Sequence, residues 1–127
     1  MANNPVLWFE VMGKDGKALR SFYSKLFGWK IDEADPASGM DYGMVNASGG
    51  GVGGGIGTSP DGSSGFATFY VEVEDLDKVL AKAEKLGGQT VMPATDIPGM
   101  NLKFAYFTDP EGHVIGISKG MAQAAGQ

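Results

Sequence analysis

Cysteine is absent from this chain of 127 residues, which excludes disulfide scaffolds, thiolate zinc sites and cysteine nucleophiles together. Histidine is nearly absent: His113 stands alone, and a histidine-based metal site needs further ligands. No apolar run approaches the ~18 residues that suggest a membrane span. The opening MANNPVLWFE lacks the basic region, apolar stretch and small-residue cleavage site of a signal peptide. Ten basic residues face fifteen acidic ones, for a net charge of -5, and no Lys/Arg cluster offers a footprint for nucleic acid or an anionic membrane. A cytoplasmic protein without nucleic-acid or membrane partners is expected.

What the chain has in excess is glycine, 21 residues, seven of them in the ten-residue stretch SGGGVGGGIG from Ser48 to Gly57. Gly49, Gly51 and Gly54 satisfy the G-x-G-x-x-G pattern of a phosphate-cradling loop. The context does not: the tract opens no helix, runs into turn residues and has no Lys-Ser/Thr pair after it.

The rest reads as alternating strands and helices. Val6 to Met12 is rich in strand formers, and Asp15 stands as N-cap before GKALRSFYSKLFG. There Leu19, Phe22, Tyr23 and Leu26 fall on one helical face, with Gly28 as the stop. Strands are expected around Trp29 to Glu33 and Tyr42 to Asn46. The turn cluster TSPDGSSG, Thr58 to Gly65, reads as a boundary. A strand then leads to the capping Asp75 and a helix presenting Leu76, Val79, Leu80, Ala83 and Leu86, stopped by Gly87 and Gly88. A strand near Thr90 to Met92, a Pro-containing loop, LKFAYFTD, the turn DPEGH and VIGIS complete the chain.

A shift of 60 residues superposes Phe9 on Phe69, Val11 on Val71, Asp15 on Asp75, Gly28 on Gly88 and Ile31 on Val91. This is an internal repeat of a strand-helix-strand-strand-strand module. The expected fold is α+β: two βαβββ modules in one domain of pseudo-two-fold character, with a mixed curved sheet, helices outside and a ligand cleft inside. Module one spans about 1–58, the turn linker 58–65, module two about 66–120 and a short tail 121–127. Aligned on the repeat, the first part of the glycine tract is a turn matching DPEGH. Its latter part is a strand whose apolar markers are Val52 and Ile56.

WFEVMGKDGKALRSFYSKLFGW, FYVEVEDLDKVLAKAEKLGG and FTDPEGHVIGIS together resemble the vicinal oxygen chelate superfamily, which includes glyoxalase I, extradiol dioxygenases, fosfomycin-resistance enzymes and bleomycin-resistance proteins. The resemblance implies a homodimer. It also implies a metal held by a His or Gln on the first strand of each module and a Glu on the last strand of each. Carried over by position, those places are Trp8, Gly55, Thr68 and Gly116. None is a normal ligand of a divalent catalytic metal. Neither metal nor other cofactor is therefore expected.

Strand alternation puts Glu10 on one face with Trp8, and Tyr70 and Glu72 on one face with Thr68. Phe9, Val11, Phe69, Val71 and Val73 turn toward the helices. The ligand-binding candidates are thus Trp8, Glu10, Thr68, Tyr70, Gly55 and Gly116, and Glu10 and Tyr70 are the catalytic candidates. Glu10 beside aromatic rings can clamp a ligand or abstract a proton, or it can stand solvated at a rim or a dimer interface. Trp8 can stack on a ligand or fill the space a metal would take. Glu72, near its strand end, reads as a surface residue, and His113 as part of a turn. The methionines, Met12, Met40, Met44, Met92 and Met100 among them, suit an apolar lining or core. Tyr42, Asn46, Asp96, Asn101 and Tyr106 are polar candidates whose faces depend on register.

Three functions fit these residues. The first is metal-free binding of an aromatic or cationic metabolite or antibiotic. The second is a metal-independent isomerase, lyase or cyclase with Glu10 as base. The third is a metal-dependent glyoxalase-like lyase with ligands in unusual places.

Overall fold

The computed structural model describes residues 4–33, 41–47 and 51–121. Its elements are β1 Val6–Gly13, α1 Gly16–Phe27, β2 Ile31–Glu33, β3 Tyr42–Val45, β4 Gly53–Thr58, β5 Phe66–Glu72, α2 Leu76–Lys85, β6 Gln89–Ile97, β7 Leu102–Thr108 and β8 Val114–Lys119. The described residues fall into two compact units, one of residues 8–67 and one of residues 4–7 with 68–121. Each carries the expected strand-helix-strand-strand-strand order, and the α+β class holds.

In the first unit the strand order is β2-β3-β4-β1, with β1 parallel to β4 and the other pairs antiparallel. The local signals behave as their chemistry predicts. Asp15 accepts a hydrogen bond from the Ala18 N–H at 3.0 Å, and Gly28 ends α1 in the left-handed conformation at φ 74°. Ser48 to Gly50, the first residues of the glycine tract, lie outside the described residues, and so does Met40. Val52, expected as a strand marker, precedes β4 and is exposed, so Ile56 alone carries that role.

The buried face of α1 differs from the expected one. Gly16 and Arg20 are buried, whereas Phe22 and Leu26 are more than half exposed. Gly16 lets the helix lie against β4, because a Cβ there would come within 2.6 Å of the Gly57 carbonyl carbon. Arg20 replaces an apolar contact with a polar one: its guanidinium donates to the Ile56 carbonyl at 3.1 Å and to the Asp41 carboxylate at 2.6 Å. Asp41 also accepts from Thr58 Oγ1, and these bonds from Thr58 and Arg20 hold its carboxyl below its ordinary pKa. Apolar periodicity cannot register an arginine whose charge is neutralised by chain elements so far away in sequence. Beside it Tyr23, Phe27 and Trp29 form an aromatic cluster, and Phe9 reaches Trp29 at a 5.6 Å centroid distance.

The second unit repeats the plan as β6-β7-β8-β5, with β5 parallel to β8. Here α2 is apolar in the ordinary way: Leu76 and Leu80 join Val73, Ala105 and Ile117 in a buried cluster. Leu86, counted on that face from the sequence, is exposed, and so is Phe69 in the middle of β5, a residue expected to turn toward the helices. The strand expected near Thr90 to Met92 continues through Pro93 to Ile97, because β6 is an edge strand whose register shifts between Thr90 and Met92 and again between Met92 and Thr95. An edge position with bulges is where a sheet tolerates proline.

Candidate functional site

The register of the first unit explains the glycines of β4. Across the sheet Trp8 pairs with Gly53 and Glu10 with Gly55, while Met44 pairs with Gly55 and Tyr42 with Gly57. These residues share one face, since partners across a ladder point the same way. A side chain at Gly53 would meet the Trp8 ring, with its Cβ 3.3 Å away. At Gly57 it would lie 2.8 Å from Tyr42 Cδ1, and at Gly55 it would lie 1.7 Å from the Tyr42 hydroxyl and 2.0 Å from Cζ. Tyr42 therefore lies lengthwise along β4, seated on two glycines. On the opposite face Gly54 seats the Phe9 ring at 2.3 Å from where its Cβ would be. The run of small residues is an aromatic shelf, and no phosphate loop is needed to account for it.

The placement of Tyr42 joins the two sequence candidates nearest to it. The Trp8 indole Nε1–H donates to the Tyr42 hydroxyl at 3.2 Å, and that hydroxyl donates to Glu10 Oε2 at 2.9 Å. Glu10 is only 9 % exposed, so the rim position considered from the sequence does not describe it. Every donor in this chain points toward the carboxylate, a charge-assisted arrangement that settles an acidic group away from bulk water. Trp8 and Glu10 stand on one face across from Gly53 and Gly55, and Tyr42 is the member that sequence reasoning left unplaced. The signal for it was the alternation of glycine at 53, 55 and 57, which calls for large side chains lying over one strand face.

The second unit has its own version. Tyr70 pairs with Gly116 and Tyr106 also pairs with Gly116. A Cβ on Gly116 would lie 2.6 Å from the Tyr70 ring, and the Tyr70 and Tyr106 hydroxyls are in direct hydrogen-bond contact. Tyr70 is buried at 4 % exposure. Thr68 directs its hydroxyl to the Val114 carbonyl at 2.7 Å, so that group serves the strand pairing. Glu72 departs from the surface role expected of it: half-buried, its carboxylate accepts from Ser118 Oγ at 3.1 Å, Gly120 N–H at 2.8 Å and Met121 N–H at 3.1 Å. It fixes the exit of β8.

The remaining candidates are peripheral. His113 is exposed in the turn before β8, where its backbone N–H donates to Asp109 at 3.0 Å and holds that carboxyl below its ordinary pKa. Asn46, Asp96 and Asn101 are exposed, as are Met44, Met92 and Met100, while Met12 is half-buried.

The four positions that the family resemblance assigns to metal ligands can now be tested against their surroundings. Trp8 and Thr68 spend their donors on Tyr42 and on a backbone carbonyl, and tyrosine rings fill the volume that glutamates at 55 and 116 would enter. Among the described residues no cluster of three His, Cys, Asp or Glu side chains could hold a metal ion. The residues present do not fit the family metal at its usual place.

A family model described as the Glyoxalase/Bleomycin resistance protein/Dioxygenase superfamily matches residues 6–117. Among curated proteins, the putative glyoxylase CFP32 of Mycobacterium bovis is 33% identical over 114 residues, covering 87% of this chain and 43% of the relative. The anthracycline biosynthesis protein DnrV of Streptomyces peucetius is 28% identical over 134 residues, covering 93% of this chain and 48% of the relative. The chain thus spans less than half the length of these curated relatives. Among solved structures, methylmalonyl-CoA epimerase from Mycobacterium tuberculosis has a TM-score of 0.66 at 14% identity, covering 100% of this chain and 97% of that one. A superfamily member from Vibrio splendidus 12B01 has a TM-score of 0.61 at 15% identity, covering 91% of this chain and 97% of that one. At such identities the likeness is one of fold.

Proposed function

The chain belongs to the glyoxalase/bleomycin resistance protein/dioxygenase superfamily, and from that premise we propose that it binds a small aromatic or cationic molecule without the family's metal. The observation that carries this reading is the Tyr42 hydroxyl over Gly55, tied to Trp8 and Glu10 where a metal-binding glutamate would stand. What the face offers is an indole, a phenol, the exposed thioether of Met44 and a carboxylate. Rings stack on the first two, and a protonated amine or hydroxyl is drawn to the last. Glu10 and Asp32 are the charged strand residues in this row of the sheet, both acidic, which adds attraction for a cation. The curated relatives are named for a putative glyoxylase and for anthracycline biosynthesis, so their names do not single out one chemistry. A homodimeric, cytoplasmic protein completes the reading and is carried over from the resemblance and the composition.

A thermal-shift screen of aromatic amines and aromatic alcohols tests it. A ligand present at 100 times its dissociation constant adds about 2.7 kcal/mol of stability. Trp8→Ala and Glu10→Ala each abolish most of that gain, whereas equal gains in wild type and both variants contradict the reading.

A second reading is favoured by the bond between Tyr42 and Glu10, since a carboxylate with a fixed hydrogen-bond partner suits a general base in a metal-independent isomerase, lyase or cyclase. The same screen separates the two: once a ligand is known, Glu10→Gln retains affinity and loses any turnover of that ligand only if Glu10 moves a proton.

A further inference from the structure

The chain of hydrogen bonds from Trp8 to Glu10 passes through one atom, the Tyr42 oxygen. That oxygen accepts from the indole at 3.2 Å and donates to the carboxylate at 2.9 Å. The ring carrying it is constrained on its long axis by β4, where Gly57 lies under Cδ1 and Gly55 under the hydroxyl. The glycines give the ring a flat seat on the strand, and its hydroxyl is held by both bonds at once.

We propose that Tyr42 is the positioning residue of the binding face, setting the indole plane of Trp8 and the orientation of the Glu10 carboxylate together. The proposal deepens the ligand-binding reading and rests on it for its functional meaning. Its physical content is separable. Donating to the position-10 side chain makes the Tyr42 oxygen a better acceptor for the indole N–H, so a change at position 10 reaches Trp8 through Tyr42. Across the row of paired residues from β1 to β2 stand Gly55, Met44 and Asp32, and along β1 on the same face stand Trp8 and Met12. Asp32 is the other titratable carboxylate in that row, and it is exposed.

The tryptophans provide the probe, because Trp8 and Trp29 are the two indoles of the chain. Trp29 sits in the aromatic cluster beside α1, apart from this chain of bonds. In nitrogen-15 correlation spectra of the whole chain, Glu10→Gln is expected to move the Trp8 indole N–H resonance while that of Trp29 stays still. Asp32→Asn leaves both in place. In Tyr42→Phe, which keeps the ring on its glycine seat, the Trp8 resonance moves upfield and no longer answers to Glu10→Gln, with Trp29 unchanged as the sign that the fold is intact. A Trp8 resonance that Glu10→Gln leaves in place, or one that it moves equally in Tyr42→Phe, overturns the proposal. Coupling in a protein that stabilises with no member of the aromatic panel supports Tyr42 as the positioning residue and removes the ligand reading instead, so the two failures are distinct.

Discussion

Gly65→Ala is expected to destabilise the chain by roughly 3 kcal/mol or more, through two separate penalties. Gly65 has φ 80°, a left-handed conformation that costs an L-residue about 1–2 kcal/mol. An added Cβ would also stand 1.9 Å from the Met12 carbonyl oxygen and 2.4 Å from its carbon, both backbone atoms of β1, which cannot give way as a side-chain tip could. Gly62→Ala is the matched control: its φ is 73° with nothing within 4 Å of the new Cβ. It should lose only the conformational part, about 1–2 kcal/mol. Urea or thermal unfolding of both variants separates the terms. Equal losses in the two would show that the approach of Gly65 to Met12 carries no weight.

Gly55→Glu, which puts a glutamate back where the family carries one, is expected to harm the protein and to recruit no metal. Its Cβ would overlap the Tyr42 hydroxyl and Cζ, so Tyr42 must leave its seat and abandon both Trp8 and Glu10. Forced overpacking of this kind costs about 1–3 kcal/mol. A second carboxylate directly across from Glu10 adds like-charge repulsion on the same face. The melting temperature should fall by about 5–10 °C. Adding Tyr42→Ala removes the overlap and should recover part of the loss, a non-additivity expected of groups in contact. If Gly55→Glu melts with the wild type, Tyr42 does not occupy that volume.

These two glycines also show where sequence reasoning stops. The repeat was legible because caps and apolar positions recur at one spacing: Asp15 and Asp75 both cap helices, and Glu10 and Tyr70 both stand beside the glycine of the last strand. Gly65 read only as part of a turn cluster, because nothing local reveals that the turn folds back onto Met12. Tyr42 could not be placed for a related reason, since its face depends on the pairing of β3 with β4. The apolar stripe chosen for α1 failed at Arg20, whose partners Asp41 and the Ile56 carbonyl come from β4 and the entry to β3. Glu72 failed likewise, as the N–H groups it accepts from lie at the far end of β8. Local chemistry is written in the residues themselves. Contacts that decide a site are written in register.

The central claim is that phenol and indole have taken the place of a metal's ligands in this member of the superfamily. Elemental analysis of untagged protein, purified without chelator and then challenged with zinc, nickel, manganese and iron(II), tests it most directly. The account predicts metal far below one equivalent per chain, with no stabilisation by any of the four ions. A stoichiometric metal that survives gel filtration and is lost on Glu10→Gln would contradict it.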